Sequence, residues 1–217
     1  MKPLYFIGWS LSRILSLFVY RIKVFDRHNV PMKGRFILAS NHRSVLDPPF
    51  LGSAFRREMH FVAKKELFKN RFFGDLITKV NAHPVNRRGF DKKAIETAMK
   101  ILENDEGLVM FPEGTRAPKG TFLKAHPGVG LIARNAVVPV VPAYINGTDD
   151  LSACFMGREK LGVIFGEPID TEKIASYSMD KQGYRQLADD ILARIKDLQT
   201  EFFRRTNHSA LLENKVD

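Results

Sequence analysis

The chain of 217 residues has a single cysteine, Cys154, so no intrachain disulfide can form. That suits a reducing compartment. It has no C-x-x-C and no H-E-x-x-H, and its histidines do not cluster at metal-ligand spacing, so a zinc site has no support. The absence of G-x-S-x-G excludes a nucleophile elbow, and the absence of G-x-x-x-x-G-K-[ST] excludes a P-loop. Internal repeats and low-complexity segments are also missing. Long apolar runs are lacking too. The N-terminal stretch LYFIGWSLSRILSLFVYRIKVF is broken by Arg13, and the clean run from Ile14 to Tyr20 falls far below the roughly 20 residues that span a bilayer. No small-x-small cleavage pattern follows it, which argues against a removed signal peptide. Acidic residues are in deficit, 24 against 34 Lys and Arg, for a formal net charge of +10. Such an excess points to nucleic acid, an anionic lipid surface or a phosphorylated substrate, without choosing among them.

The length suits one domain with a core large enough to need no staples. Residues 1–20 read as a membrane-associating helix lying on or dipping into one leaflet. Tyr5, Trp9 and Tyr20, with Lys2, Arg13, Arg21 and Lys23, are types that favour a headgroup interface, and Gly8, Ser12 and Ser16 make a weakly polar stripe. An ordinary core-packing first helix is the alternative. Residues 21–206 form the main domain, and 207–217 a polar tail expected to fray beyond Arg205.

Short apolar runs alternate with helical patterns along the domain. RIKVFD, GRFILAS, MHFVAKK, HPVNR, GLVMF, VVPVVPAYI and LGVIFGEPI read as strands. The strand with Pro139 and Pro142 is expected at an edge, or irregular. DPPFLGSAF reads as a short helix with Asp47 as its N-cap. NRFFGDLITKV, DKKAIETAMKILEND and GVGLIARNA read as helices. A last long helix beginning near Tyr184 carries the stripe Leu187, Ile191, Ile195, Leu198 and Phe202. This alternation predicts an α/β fold, a mixed and mostly parallel sheet flanked by helices. Functional loops in such sheets follow the carboxyl ends of strands. SNHRSVLD and PEGTR stand in that position.

His42 and Asp47 are five residues apart, about 140° on a regular helix, so a turn must bring them together. If it does, the carboxylate fixes the imidazole tautomer, and the other ring nitrogen can take a proton from a substrate hydroxyl. From these two residues alone, a capping aspartate beside a surface histidine is the simpler reading. In FPEGTR, residues 111–116, Gly114 allows close backbone approach, and Arg116 can fork onto a phosphate. An internal Glu113–Arg116 ion pair is the plain alternative. Lys64, Lys65, Arg87 and Arg88 are cations near strand ends, each ordinary by itself. GVGLIA, residues 128–133, matches a dinucleotide fingerprint, with Asp150 about 20 residues on. No convincing strand precedes it, so it is set aside.

The ordered set decides. NHRSVLD, then FVAKKELF with FFGDLITKVNAHPVNR, then FPEGTR, then VVPVVPAYI resembles the glycerolipid acyltransferase family, most of all its bacterial 1-acylglycerol-3-phosphate branch, over roughly residues 25–170. The resemblance implies that His42 is a general base deprotonating the acceptor hydroxyl, that Asp47 orients it, and that the acyl thioester is attacked directly. It implies acceptor-phosphate contacts at Gly114 and Arg116, with Arg87 as a further cation. Glu113 is a structural or acceptor-positioning residue of that substrate loop, to which Thr115 also belongs, and Lys64 is a candidate charge near the phosphate or oxyanion. No metal or prosthetic group is implied; acyl-CoA or an acylated acyl carrier protein is the donor substrate. The implied partners are a membrane lipid acceptor, that donor and an anionic membrane surface at the cytoplasmic face of the cell membrane, with peripheral or monotopic attachment. Nucleic acid is not among them, since no basic–aromatic patch is evident. Another lysolipid acceptor, such as lysophosphatidylglycerol or a lyso-ornithine lipid, and a catalytically idle lipid-binding member stay open as alternatives. The chain departs from the family's usual pattern at Arg71, commonly proline, at Asn81, commonly glycine, and at KAHPG, where lysine-glycine is common.

Overall fold

The computed structural model describes residues 2–86 and 91–213, with backbone alone for 208–213. The N-terminal helix α1 (Pro3–Ile14) runs into a wider turn at Leu15–Val19. Strand β1 (Lys23–Phe25) follows, then β2 (Phe36–Ser40), helix α2 (Asp47–Ser53), β3 (Met59–Lys64), α3 (Arg71–Lys79) and β4 (Ala82–Val85). The second half continues with α4 (Lys92–Glu103), β5 (Gly107–Met110), α5 (Gly128–Ala136), β6 (Val140–Asn146), α6 (Leu151–Phe155), β7 (Gly162–Phe165), α7 (Thr171–Ala175) and α8 (Lys181–Glu213). Thus α8 begins before Tyr184 and continues past Arg205, across the expected start of the tail.

All seven strands form one sheet in the order β1-β7-β6-β2-β5-β3-β4. Every pairing is parallel except β6 with β7. The mixed, mostly parallel α/β sheet expected from the sequence is therefore the one observed. Its faces carry separate apolar layers. Against one pack α4, α5 and α8, where Leu102, Ile132, Leu187, Ile191, Ile195 and Phe202 are buried. Against the other packs α2, with Phe50, Leu51 and Phe55 over Phe36 and Leu38. The fingerprint-like GVGLIA starts α5, and Gly130 serves helix packing: a Cβ there would sit 2.0 Å from the Tyr184 carbonyl oxygen of α8.

The edge placement expected for the proline strand is wrong. β6 lies between β2 and β7, with every residue buried. Pro142 is tolerated because of where its missing N–H points. Its carbonyl accepts from Gly166 N–H at 2.8 Å, so that side of the residue faces β7. There β7 has just ended at Phe165, and pairing resumes only at Val140–Ile169. The carbonyl that would have taken a donor from residue 142 is that of Gly166, which lies half-buried just past the end of β7 rather than inside the ladder.

Asn81 has φ +64, a left-handed conformation that suits glycine, and asparagine after it. Its side chain also donates to Glu58 Oε1 at 2.8 Å and accepts from Lys2 Nζ at 2.9 Å. Arg71 opens α3 directly after the N-cap Asn70, a position where proline is favoured but not required.

Helix α1 is turned opposite to an ordinary surface helix. Its polar-tipped residues face the protein: the Tyr5 hydroxyl accepts Met59 N–H at 3.0 Å, Trp9 Nε1 donates to Phe55 O at 2.9 Å, and Arg13 Nη1 donates to Ser53 O at 2.7 Å. These three residues, expected at a headgroup interface, instead bind backbone around α2 and β3. Burial pushes the Tyr5 phenol up to about 12. The outward face of α1 and of the turn after it is apolar: Phe6, Ile7, Leu11, Ile14 and Phe18 are each more than half exposed, Phe18 at 79%. Among the described residues, no helix is long and apolar enough to cross a membrane.

Candidate active site

Strand β2 stops at Ser40 because a side chain takes over its pairing. Asn41 accepts Ile145 N–H at 2.8 Å and donates to Ile145 O at 2.9 Å, copying a backbone ladder against β6. The chain then turns, and His42 is the first residue over the rim. Its Nδ1 lies 2.7 Å from Asp47 Oδ2. The same oxygen accepts the N–H groups of Arg43, at 2.7 Å, and Ser44, at 2.9 Å, which curls residues 42–47 around it. The other oxygen, Oδ1, accepts the Thr148 hydroxyl from the loop after β6. Four donors thus satisfy a carboxylate that is fully buried, as burial demands. Asp47 is not the N-cap expected for α2: Leu46 holds that position, and no side chain caps the helix. The carboxylate is used on the loop instead.

A carboxylate facing Nδ1 places the proton there and leaves Nε2 as an acceptor. His42 is 7% exposed, and its ring is stacked on Phe111, with centroids 4.0 Å apart and planes 17° apart. Both ring plane and tautomer are therefore held. Nε2 has no hydrogen-bond partner among the described residues.

Glu113 joins this loop to the one after β5. Its Oε1 accepts His42 N–H at 3.2 Å, and Oε2 accepts Leu123 N–H at 2.6 Å. Burial pushes its carboxyl above the ordinary value, while the two N–H bonds pull it back. Ala117 N–H, donating to His42 O at 2.8 Å, fastens the loops again. The Glu113–Arg116 ion pair considered from the sequence does not form. Gly114 has φ +66, and a Cβ there would come within 2.8 Å of His126 Cδ2. The close approach that requires a glycine is therefore by a histidine of the same loop.

Thr115 and Arg116 are exposed on the outside of this turn. Lys64, exposed, ends β3. The registers Phe61–Val109 and Ala39–Met110 put Lys64 level with Pro112 and close to the level of His42, two strand spacings or about 10 Å across from β2. Arg87 lies outside the described residues. Three further residues were not foreseen. Thr148 and Phe111 grip the His–Asp pair. Arg43 lies over the rings of Phe122 and Tyr144, 6.0 and 5.8 Å from their centroids, with Nε and Nη2 unpartnered among the described residues. Position after a strand's carboxyl end would have flagged Thr148; nothing in its spacing links it to Asp47. The cysteine takes no visible part. Cys154 donates to Gly147 O at 3.3 Å, and burial pushes its thiol up to about 11.

A buried His–Asp pair opening at the carboxyl rim of a parallel sheet, next to a basic turn, is the equipment of a general-base enzyme for an anionic substrate. The family model described as Acyltransferase matches residues 21–146, and the chain belongs to that family. It is 32% identical to the 1-acyl-sn-glycerol-3-phosphate acyltransferase of Bacillus subtilis over 193 residues, 88% of this chain and 94% of that one. The enzyme of the same name from Streptococcus pneumoniae is 34% identical over 78% of this chain and 60% of its own length. The crystal structure of the 1-acyl-sn-glycerophosphate acyltransferase PlsC from Thermotoga maritima superposes with a TM-score of 0.68 at 25% identity, covering 90% of this chain and 79% of that one.

Proposed function

We propose that this chain moves a fatty acyl group from an acyl thioester to the free hydroxyl of 1-acylglycerol-3-phosphate, giving phosphatidic acid. The 2.7 Å contact between His42 Nδ1 and Asp47 Oδ2, with Nε2 left open, carries the reading. Nε2 takes the acceptor's hydroxyl proton as that oxygen bonds to the thioester carbonyl carbon. The charge on the resulting tetrahedral centre returns to the carbonyl, the carbon–sulfur bond breaks, and the thiolate takes the proton from the imidazolium. Asp47 stays ionised throughout and stabilises the imidazolium. No acyl-enzyme is needed. Gly114, Thr115 and Arg116 meet the acceptor phosphate, Arg116 as its bidentate partner. Arg87 and Lys64 add positive charge to the rim, and Glu113 acts by holding the loop in place.

The lipid product gives the outward apolar face of α1 a role. That face, with the net charge of +10, docks the enzyme on an anionic leaflet without spanning it. The donor is acyl-CoA or an acylated acyl carrier protein, and the enzyme works at the cytoplasmic face of the membrane.

The purified protein, offered a panel of lysolipids with both kinds of thioester, should form phosphatidic acid, identified by mass. Acylation confined to another lysolipid would reassign the acceptor, and no acylation of any would refute the activity.

A further inference from the structure

We propose that α3 and the turn before it form a second membrane-contact element, seating Leu67 and Phe72 in an anionic leaflet beside α1. This rests on the membrane reading of α1 given above. Of the nine residues of α3, Gly74 alone is buried, because a Cβ there would press on the Phe68 backbone at 3.0 Å. The helix has a clear apolar stripe, but the protein does not cover it. Phe72 is 90% exposed, and Phe73, Leu76 and Leu67 are nearly half exposed. Isolated exposed apolar residues are ordinary; a cluster on one short helix and its approach marks a contact surface.

Two observations identify what covers it. The first is charge. Lys65, Lys69, Arg71 and Lys79 flank the stripe against Glu66 and Asp75, and all four cations are exposed. An apolar stripe in a basic surround is what an anionic leaflet attracts. The second is continuity with α1. The crossovers β2–α2–β3 and β3–α3–β4 advance the same way along the sheet. As right-handed units they put α2 and α3 on one face, and α1 packs on α2 through its bonds to Ser53 and Phe55. A Cβ on Gly8 of α1 would lie 4.0 Å from Val80 Cγ1, just past the end of α3. Helix α1 and the end of α3 are therefore neighbours. The basic rim also lies at the start of α3, after β3, on the side of the sheet where His42 opens.

The full chain is sedimented with neutral phosphatidylcholine vesicles and with vesicles doped with phosphatidylglycerol. Phe72→Ser should weaken binding to both by roughly tenfold, the value of one large buried apolar side chain. Phe18→Ser, in the turn that continues α1, should do the same. The charge reversal Lys69→Glu with Arg71→Glu should weaken binding to the doped vesicles alone. Turnover of a detergent-dispersed acceptor should be unaffected by Phe72→Ser. Phe72 and charge-reversal variants that bind as the wild type does, while Phe18→Ser fails to bind, would overturn the α3 contact and leave the α1 reading standing. Failure of the wild type to bind either vesicle would overturn both. Phe72→Ser binding vesicles normally, but losing turnover only with acyl carrier protein donor, would make this face a protein-docking site and overturn the proposal.

Discussion

Replacing Thr148 by valine removes one hydroxyl and changes little else, because the two side chains have nearly the same shape. The hydroxyl donates to Asp47 Oδ1, and both residues are buried, Thr148 at 2% exposure. No water reaches that oxygen to replace the lost donor. A hydrogen bond to a charged group is worth about 1.5–3 kcal/mol, and that is the expected loss of folding stability. The three remaining donors, His42 Nδ1 and the N–H groups of Arg43 and Ser44, all act on Oδ2. Without Thr148 the carboxylate can rotate about that single anchored oxygen, and the imidazole follows it. The bond exists both before and during proton transfer, so only part of its value appears in the rate, about tenfold in kcat for 1.4 kcal/mol. KM for either substrate should change little, since Thr148 touches neither. Thr148→Ser restores the donor and should recover most of the loss. The assay is initial rate at saturating substrate for the wild type and both variants, beside thermal melts. A folded valine variant with wild-type kcat would refute the argument. A serine variant as slow as valine would show that the donor alone does not set the rate, and that the methyl group serine lacks is needed as well.

Arg116→Ala should raise KM for the phosphorylated acceptor more than for the thioester, and separate titration of each substrate checks it; a defect confined to the donor would move Arg116 to the other substrate. Glu113→Gln leaves one acceptor for two N–H groups, the buried one of His42 and the partly buried one of Leu123, at a cost of about 1–3 kcal/mol; the melting temperature should fall and acceptor KM rise as the loop slackens, and an unchanged melt would refute the loop-holding role. His60 and His83 share a 2.8 Å hydrogen bond, and burial holds both below the ordinary histidine range. The unfolded chain, titrating near 6.5, therefore takes up protons first as pH falls. Stability should be full above about pH 6.5 and decline below it until the folded-state values are passed; His83→Gln should flatten that slope, and an unaltered slope in denaturant melts would count against the assignment.

What was legible in the sequence was local. The helix from Lys92 to Glu103 announces itself by spacing and by Asp91, which caps it by accepting Ala94 N–H. The His–Asp pair was legible as a possibility because both partners lie in one six-residue turn. Its geometry requires Asn41 to end β2 and Thr148 to approach from a loop about a hundred residues away, and side chains carry no record of such distances. Pro142 misled for the same reason. A proline's lost donor matters only where a neighbour needs it, and the break in β7 opposite it cannot be read from β6 alone. Helix α1 was read by residue type, as aromatic and basic groups for headgroups. The structure assigns Tyr5, Trp9 and Arg13 to backbone partners and leaves the aliphatic face outside. Composition tells that a helix is amphipathic but not which face the protein takes.

The central claim is that His42 is the base for acyl transfer. It is tested most directly by measuring phosphatidic acid formed from 1-acylglycerol-3-phosphate and an acyl thioester by the wild type and by His42→Ala at equal concentration, with folding checked by circular dichroism. Loss of a general base typically costs about 10² to 10⁴ in rate, so the variant should fall by at least a hundredfold while keeping the wild-type spectrum. A folded His42→Ala protein that forms product within a few-fold of the wild-type rate would contradict the account.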